Sequence, residues 1–184
     1  MKELSLHILD LVQNSTRAEA SQVNISIVEA PQYDTYTLVI RDNGKGMDAE
    51  TVKRVTDPFY TTRTTRKVGL GLSLMKQNAM LTGGDLTVGS QPGEGTKLNI
   101  LMGFSHLDRP PAGKLPEVLY MLMAGNPNVR FVYEHQTPYG KFTADSDEIL
   151  EMLEGLPLHL PEIRKGLTEY LSNGLESIQA EFQP

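Results

Sequence analysis

The chain has 184 residues, 17 Lys and Arg against 23 Asp and Glu, and no cysteine. This length suits one generous domain or a domain with a small appendage, and 39% hydrophobic with 22% charged residues is a globular composition rather than a disordered or fibrous one. Without thiols there is no disulfide framework, thiolate zinc centre, iron–sulfur cluster or cysteine nucleophile, and without a run of about 18 uncharged apolar residues there is no membrane span, so the cytoplasm is expected.

Leu4, Ile8, Leu11 and Val12 recur at helical spacing, which predicts an amphipathic helix over 2–17. Val23, Ile25 and Ile27 alternate with polar residues and 35–41 is rich in β-branched residues, so two strands are expected around the turn 30–34. A glycine-rich turn DNGKGMD, a short helix over 48–55 and an irregular DPFYTTRTTRKVG follow. A helix from Leu70 should stop at Gly83-Gly84, the place for a left-handed cap. Two strands near 86–88 and 98–102 flank the turn SQPGEGT. Prolines in 105–116 predict a linker. Beyond it come an apolar helix near 118–123, a hairpin around Thr137-Pro138, a helix capped by Asp145 with Glu148 and ending at Gly155, and a last helix opened by Pro161. Helices and strands alternate without a regular βαβ rhythm, so the fold class is α+β, with residues 1–104 as one domain and 117–184 as a second. The charge divides near the same place. Residues 1–109 hold 12 basic and 12 acidic side chains, and 110–184 hold five and 11, so the whole formal charge of −6 lies after the linker. Such acidity argues against nucleic acid and favours a protein partner.

Three short pieces carry the chemistry. On the first helix Asp10 and Asn14 stand four apart on one face, offering hard oxygen ligands to a magnesium ion, with Arg17 placed to reach a phosphate. Asp42 ends a strand and is followed by Gly44, Gly46 and Met47. Glycine lets backbone approach a flat ligand, and a carboxylate accepts from the exocyclic amine of adenine while repelling the carbonyl of guanine. Gly69, Leu70, Gly71 and Leu72 open a helix, whose free N–H groups suit an anion. Taken singly, each piece has an ordinary explanation: a solvated helix face, a turn, a glycine-rich helix start.

Taken together and in order, they resemble the GHKL superfamily, the ATP-binding module shared by sensor histidine kinases, DNA gyrase, Hsp90, MutL and the anti-sigma-factor kinases. LDLVQNSTRAEAS looks like the N box, DNGKGM the G1 box, DPFYTTR the F box and GLGLSLMKQ the G2 box, while GGDLTVGSQPGEGTKLNI looks like the closing segment of a histidine kinase catalytic domain. The resemblance implies a Bergerat fold, an α/β sandwich with helices on one face of a mixed sheet, and ATP with Mg2+ as ligands. It implies Asn14 as the magnesium ligand, Asp42 as the adenine contact, Gly44 and Gly46 at the base, Gly69, Leu70 and Gly71 at the phosphates through their backbone, and Met47 and Leu72 among the cofactor-binding residues. Thr96 would support the adenine pocket, and Arg63, Arg66 and Lys67 would lie in a lid over 60–68, with Phe59 as its packing anchor.

Two departures matter. Asp10 stands where the gyrase and MutL branch has the Glu that acts as base on water; one methylene less reach, roughly 1.5 Å, can cost about a hundredfold in rate. Lys67-Val68 precedes GLGL where histidine kinases often have Gly-Thr. The chain also begins almost at the N box, so an upstream phospho-accepting helix is not expected, and the prolines after His106 disqualify that residue as acceptor. His7, His135 and His159 are expected to be structural or exposed. The leading expectation is therefore a stand-alone kinase-like domain that phosphorylates a protein partner. A non-catalytic nucleotide sensor and a weak MutL-like ATPase are the alternatives, and a homodimer is compatible with each.

Overall fold

The computed structural model describes residues 3–57 and 70–182. Alternation of period two decides which face of each strand is buried. In β1 (Gln22–Ala30) it points Val23, Ile25 and Ile27 inward, and in β2 (Thr35–Asp42) Tyr36, Leu38 and Ile40. The antiparallel register pairs Ile25 with Ile40 and Val23 with Asp42. Asp42 is therefore the polar end of an apolar row.

Gly83, at φ 79°, turns the chain after α3 (Leu70–Leu81) into β3 (Asp85–Gln91), which pairs with β4 (Gly95–Gly103). Leu98, Ile100 and Met102 of β4 continue the buried face. The helices on that face are α1 (Leu4–Arg17), α3 and α4 (Leu115–Gly125), the last two contributing Leu72, Met75, Val118 and Leu122 to the core. A short α2 (Ala49–Arg54) follows the loop after β2 and is capped by Asp48, whose carboxylate accepts from Thr51 N at 2.7 Å.

Residues 117–184 build no sheet of their own. Their strands β5 (Arg130–Thr137) and β6 (Gly140–Asp145) extend the first sheet, giving the order β3-β4-β2-β1-β5-β6, with β1 and β5 parallel and every other pair antiparallel. The sheet is mixed, with helices packed on its apolar face, the α+β Bergerat arrangement. Phe131 and Tyr133 of β5 sit in the same core as Ile25 and Leu38. Two further helices, α5 (Ser146–Met152) and α6 (Pro161–Ser177), complete the chain, with Leu167, Leu171 and Leu175 of α6 buried.

The proline-rich stretch does more than connect. The N-cap of α1, Glu3, makes no side-chain cap. The orphan N–H groups of Leu4 and Ser5 instead donate to the carbonyls of Pro111 and Ala112, both at 2.9 Å. The tail is pinned by a buried polar cluster: His135 Nε2 lies 2.8 Å from Glu29 Oε1, its Nδ1 lies 2.6 Å from the Tyr133 hydroxyl, and the N–H of Glu181 donates to Glu29 Oε1 at 2.9 Å. Arg109 pairs with Glu181 at 2.6 Å.

Candidate active site

A cavity of about 510 Å3 opens between the C-terminal half of α1, the end of β2 with its following loop, α2, β4 and the start of α3. Its volume is that of a small-molecule pocket. Of the residues singled out from sequence, Asn14, Arg17, Asp42, Gly46, Met47, Gly71 and Thr96 line it. Gly44 lies just behind the wall, its N–H donating to Asp42 Oδ1 at 3.0 Å. Leu72 turns into the core instead. Leu70 begins α3. Arg63, Arg66, Lys67, Gly69 and Phe59 lie outside the described residues.

Asp42 is only 7% exposed and its oxygens are held by three donors. Oδ1 accepts from the N–H groups of Gly44 and Thr96, the latter at 3.1 Å, and Oδ2 accepts from Ser15 Oγ at 2.6 Å. Each carboxylate oxygen offers about two acceptor positions, so Oδ1 is filled and Oδ2 keeps one. Thr96 belongs to a second network: Ser90 Oγ accepts from Met47 N, donates to the Gly95 carbonyl at 2.7 Å and lies 3.0 Å from Thr96 Oγ1. That network ties the loop after β2 to the β3–β4 hairpin. Gly46 adopts φ 65°, and a Cβ there would collide with the Gln91 carbonyl.

Asn14 and Arg17 face the cavity together, with the Arg17 guanidinium donating to Asn14 Oδ1 at 3.2 Å. Asp10 is half-buried one turn earlier and lies off the cavity wall, against Gly71. A Cβ on Gly71 would collide with Asp10 Oδ2. Among the described residues no group of three or more His, Cys, Asp or Glu forms a metal cage. Magnesium is commonly held by one or two protein oxygens plus substrate phosphates, and the Asn14 carboxamide on the wall with Asp10 behind it fits that donor set.

Sequence reasoning missed Ser15, Ser90 and Lys45. Ser15 had a signal, since it falls at i+4 from Leu11 on the core-facing stripe, and a buried hydroxyl needs a partner. Nothing local marks Ser90, whose partners lie across a hairpin and a loop. Of the histidines, His7 is buried with Asn78 Nδ2 at 3.1 Å from its Nε2, and its burial lowers its pKa below the ordinary 6.5. His106 is exposed in the irregular stretch after β4.

Residues 2–105 match the family model of the histidine kinase-, DNA gyrase B- and HSP90-like ATPases, more than half of the chain. The chain belongs to this family. Its similarity to the sensor protein kinase FleS of Pseudomonas aeruginosa is 36% over 95 residues, covering 52% of this chain and 23% of that protein. Similarity to the histidine-protein kinase AtoS of Escherichia coli is 31% over 96 residues, covering 52% and 16%. The chain thus spans a quarter or less of the length of these curated relatives. It also shares its fold with the N-terminal domain of a DNA repair protein, at a TM-score of 0.56 and 19% identity, over 78% of this chain and 52% of that one. Residues 2–105 are a histidine-kinase-like ATP-binding domain, and among the described residues no helix is long and apolar enough to cross a membrane.

Proposed function

We propose that this member of the histidine-kinase-like ATPases binds ATP with magnesium in the cavity beside Asp42 and passes the γ-phosphoryl group to a residue of another polypeptide. The observation that carries the reading is the meeting of Asn14, Arg17, Asp42, Gly46, Gly71 and Thr96 on one cavity wall, from segments more than 80 residues apart in sequence.

Asp42 would take the exocyclic amine of adenine on its remaining acceptor position, and Gly46 and Thr96 would shape the wall around the base. Gly71, at the start of α3, would bring backbone close to the phosphates, where the helix start favours negative charge. Asn14, with Asp10 behind it, would hold magnesium, which neutralises phosphate charge during phosphoryl transfer. Arg17 and Lys45, both on the wall, add positive charge. None of the four histidines in residues 1–184 suits the role of acceptor: His7 and His135 are buried, while His106 and His159 sit in irregular segments. The acidic residues of 110–184 give the partner a complementary, basic character.

Incubation of the chain with γ-labelled ATP, magnesium and candidate partner proteins is expected to label a partner and to need both Asp42 and magnesium. A second reading, a nucleotide sensor without turnover, draws on the placement of Asp10 against Gly71 and off the cavity wall, poorly placed to activate water. It is favoured if ATP binds, no phosphate is released and no partner is labelled, while association with a partner depends on ATP. Steady phosphate release that Asp10→Asn abolishes would instead mark a MutL-like ATPase.

A further inference from the structure

We propose that Ser15 is a specificity-determining positioning residue, the group that makes this cavity read an exocyclic amine on a purine. The inference rests on the reading of the cavity as a nucleotide site.

A serine or threonine hydroxyl has one proton to donate and two lone pairs to accept with. In the middle of a helix such a hydroxyl commonly bonds back to the carbonyl four residues earlier. Ser15 instead reaches across 27 positions of sequence and donates to Asp42 Oδ2 at 2.6 Å, from a side chain that is 4% exposed. Its proton is spent on the carboxylate. Ser90 spends its proton on the Gly95 carbonyl at 2.7 Å, so the 3.0 Å contact between Ser90 Oγ and Thr96 Oγ1 has Thr96 as donor. The Thr96 N–H and the Gly44 N–H are both spent on Asp42 Oδ1.

Every one of these protons is thus directed into the protein; Ser90 Oγ and Asp42 Oδ1 are filled, and what is left to face a ligand beside Asp42 is the open acceptor position of Oδ2 and the lone pairs of the Ser15 and Thr96 hydroxyls. An amino group with two N–H donors satisfies such a surface. A carbonyl at the same place meets only lone pairs and is rejected, because a site of directed polar groups discriminates far more strongly than an apolar one. Within this arrangement Ser15 does two things. It occupies one acceptor position on Oδ2, leaving a single directed one, and it is the only side chain in the set that fixes the rotation of the carboxylate, both other donors being backbone groups on Oδ1.

The test is a set of binding titrations on the full chain with ATP, with inosine triphosphate, which carries a 6-oxo group, and with purine riboside triphosphate, which carries neither amine nor oxo group. Ser15→Ala is expected to weaken ATP by about tenfold, the scale of a hydrogen bond to a charged group. It should leave purine riboside triphosphate unchanged and narrow the preference for ATP over inosine triphosphate. Ser15→Thr, which keeps the hydroxyl, should restore the preference. A merely structural serine would weaken all three nucleotides alike, and that outcome, or an unchanged preference in Ser15→Ala, overturns the proposal while leaving the nucleotide site intact. Failure of the unsubstituted chain to bind ATP would overturn the site and the proposal together. If Ser15→Ala does not fold, Ser15→Cys, nearly isosteric and a much weaker donor, carries the same expectations.

Discussion

Asp42 is a carboxylate at the end of an otherwise apolar strand row, and its cost of burial is offset by three donors. Asp42→Asn keeps the shape but turns one acceptor into a donor facing the cavity. ATP affinity is expected to fall by about a hundredfold, read by calorimetric titration. Gly71 sets two effects against each other. Alanine in a helix is favoured over glycine by about 1 kcal/mol, yet a Cβ here would meet Asp10, and overpacking costs about 1–3 kcal/mol. Steric conflict with a half-buried carboxylate wins, so Gly71→Ala is expected to lower stability. A chemical-denaturation cycle with Asp10→Ala should show strong non-additivity, the double variant recovering most of the loss. Asp42, Gly46 and Gly71 were legible in the sequence because their demands are local: a charge at a strand end, a glycine where a turn or close approach needs one. Of Ser15 only the burial was legible, from its place on the apolar stripe, and of Ser90 nothing, because the partners of both are set by tertiary register. The basic residues Arg63 and Lys67, read from sequence as lid contacts, lie outside the described residues.

At the scale of elements, α1 serves the core and the site with adjoining faces, Leu11 and Ser15 of the buried stripe bordering the cavity as well. Leu4, Ile8, Leu11 and Val12 are buried while Asn14 and Arg17 line the cavity, so the apolar stripe that predicts the helix also fixes which way its polar residues point. The expected capping box of α5 takes a different form. Asp145 caps the helix, but its carboxylate accepts from Asp147 N at 3.0 Å and also pairs with Arg130 at 2.6 Å. That guanidinium, with the Asp147 N–H as a lesser contributor, holds the Asp145 pKa below the ordinary carboxylate value of 3.8. The folded state therefore binds its proton less readily than the unfolded chain. The contribution to stability is fully present above about pH 3.8 and is lost as pH falls through the lowered folded value. Asp145→Ala is expected to lower stability by about 1 kcal/mol at neutral pH, the scale of a lost N-cap. It should also flatten the acid limb of a melting-temperature profile. The proline-rich stretch read as a linker from its composition; that its carbonyls cap α1 follows only from where the fold returns it.

At the scale of the whole molecule, the decisive feature is the parallel pairing of β1 with β5. The family resemblance and the family match both end near residue 105, and composition and charge change just beyond it. The core does not end there. Removing 110–184 would strip β5 from a central strand, expose its ladder and uncover the faces that pack on Phe131 and Tyr133, each worth about 1.5–3 kcal/mol when buried. A chain ending at residue 109 is accordingly expected to be unfolded or aggregated, with loss of a cooperative thermal transition by circular dichroism. The 184-residue chain should melt as one unit. The acidity of 110–184 is likewise less free than a charge count suggests, since Glu181, Asp145, Glu117 and Glu134 each pair with an arginine or lysine. By itself the sequence determined the elements, the α+β class, the family and the motif residues, because periodicity, glycine placement and charge at strand ends are written over a few neighbouring positions. Only the tertiary structure decided that the acidic part completes the first sheet, that the linker caps α1 and that Ser15 directs its proton to Asp42. Each depends on pairing between segments far apart in the chain, and side-chain patterns of period two or 3.6 record which face is buried but not what buries it.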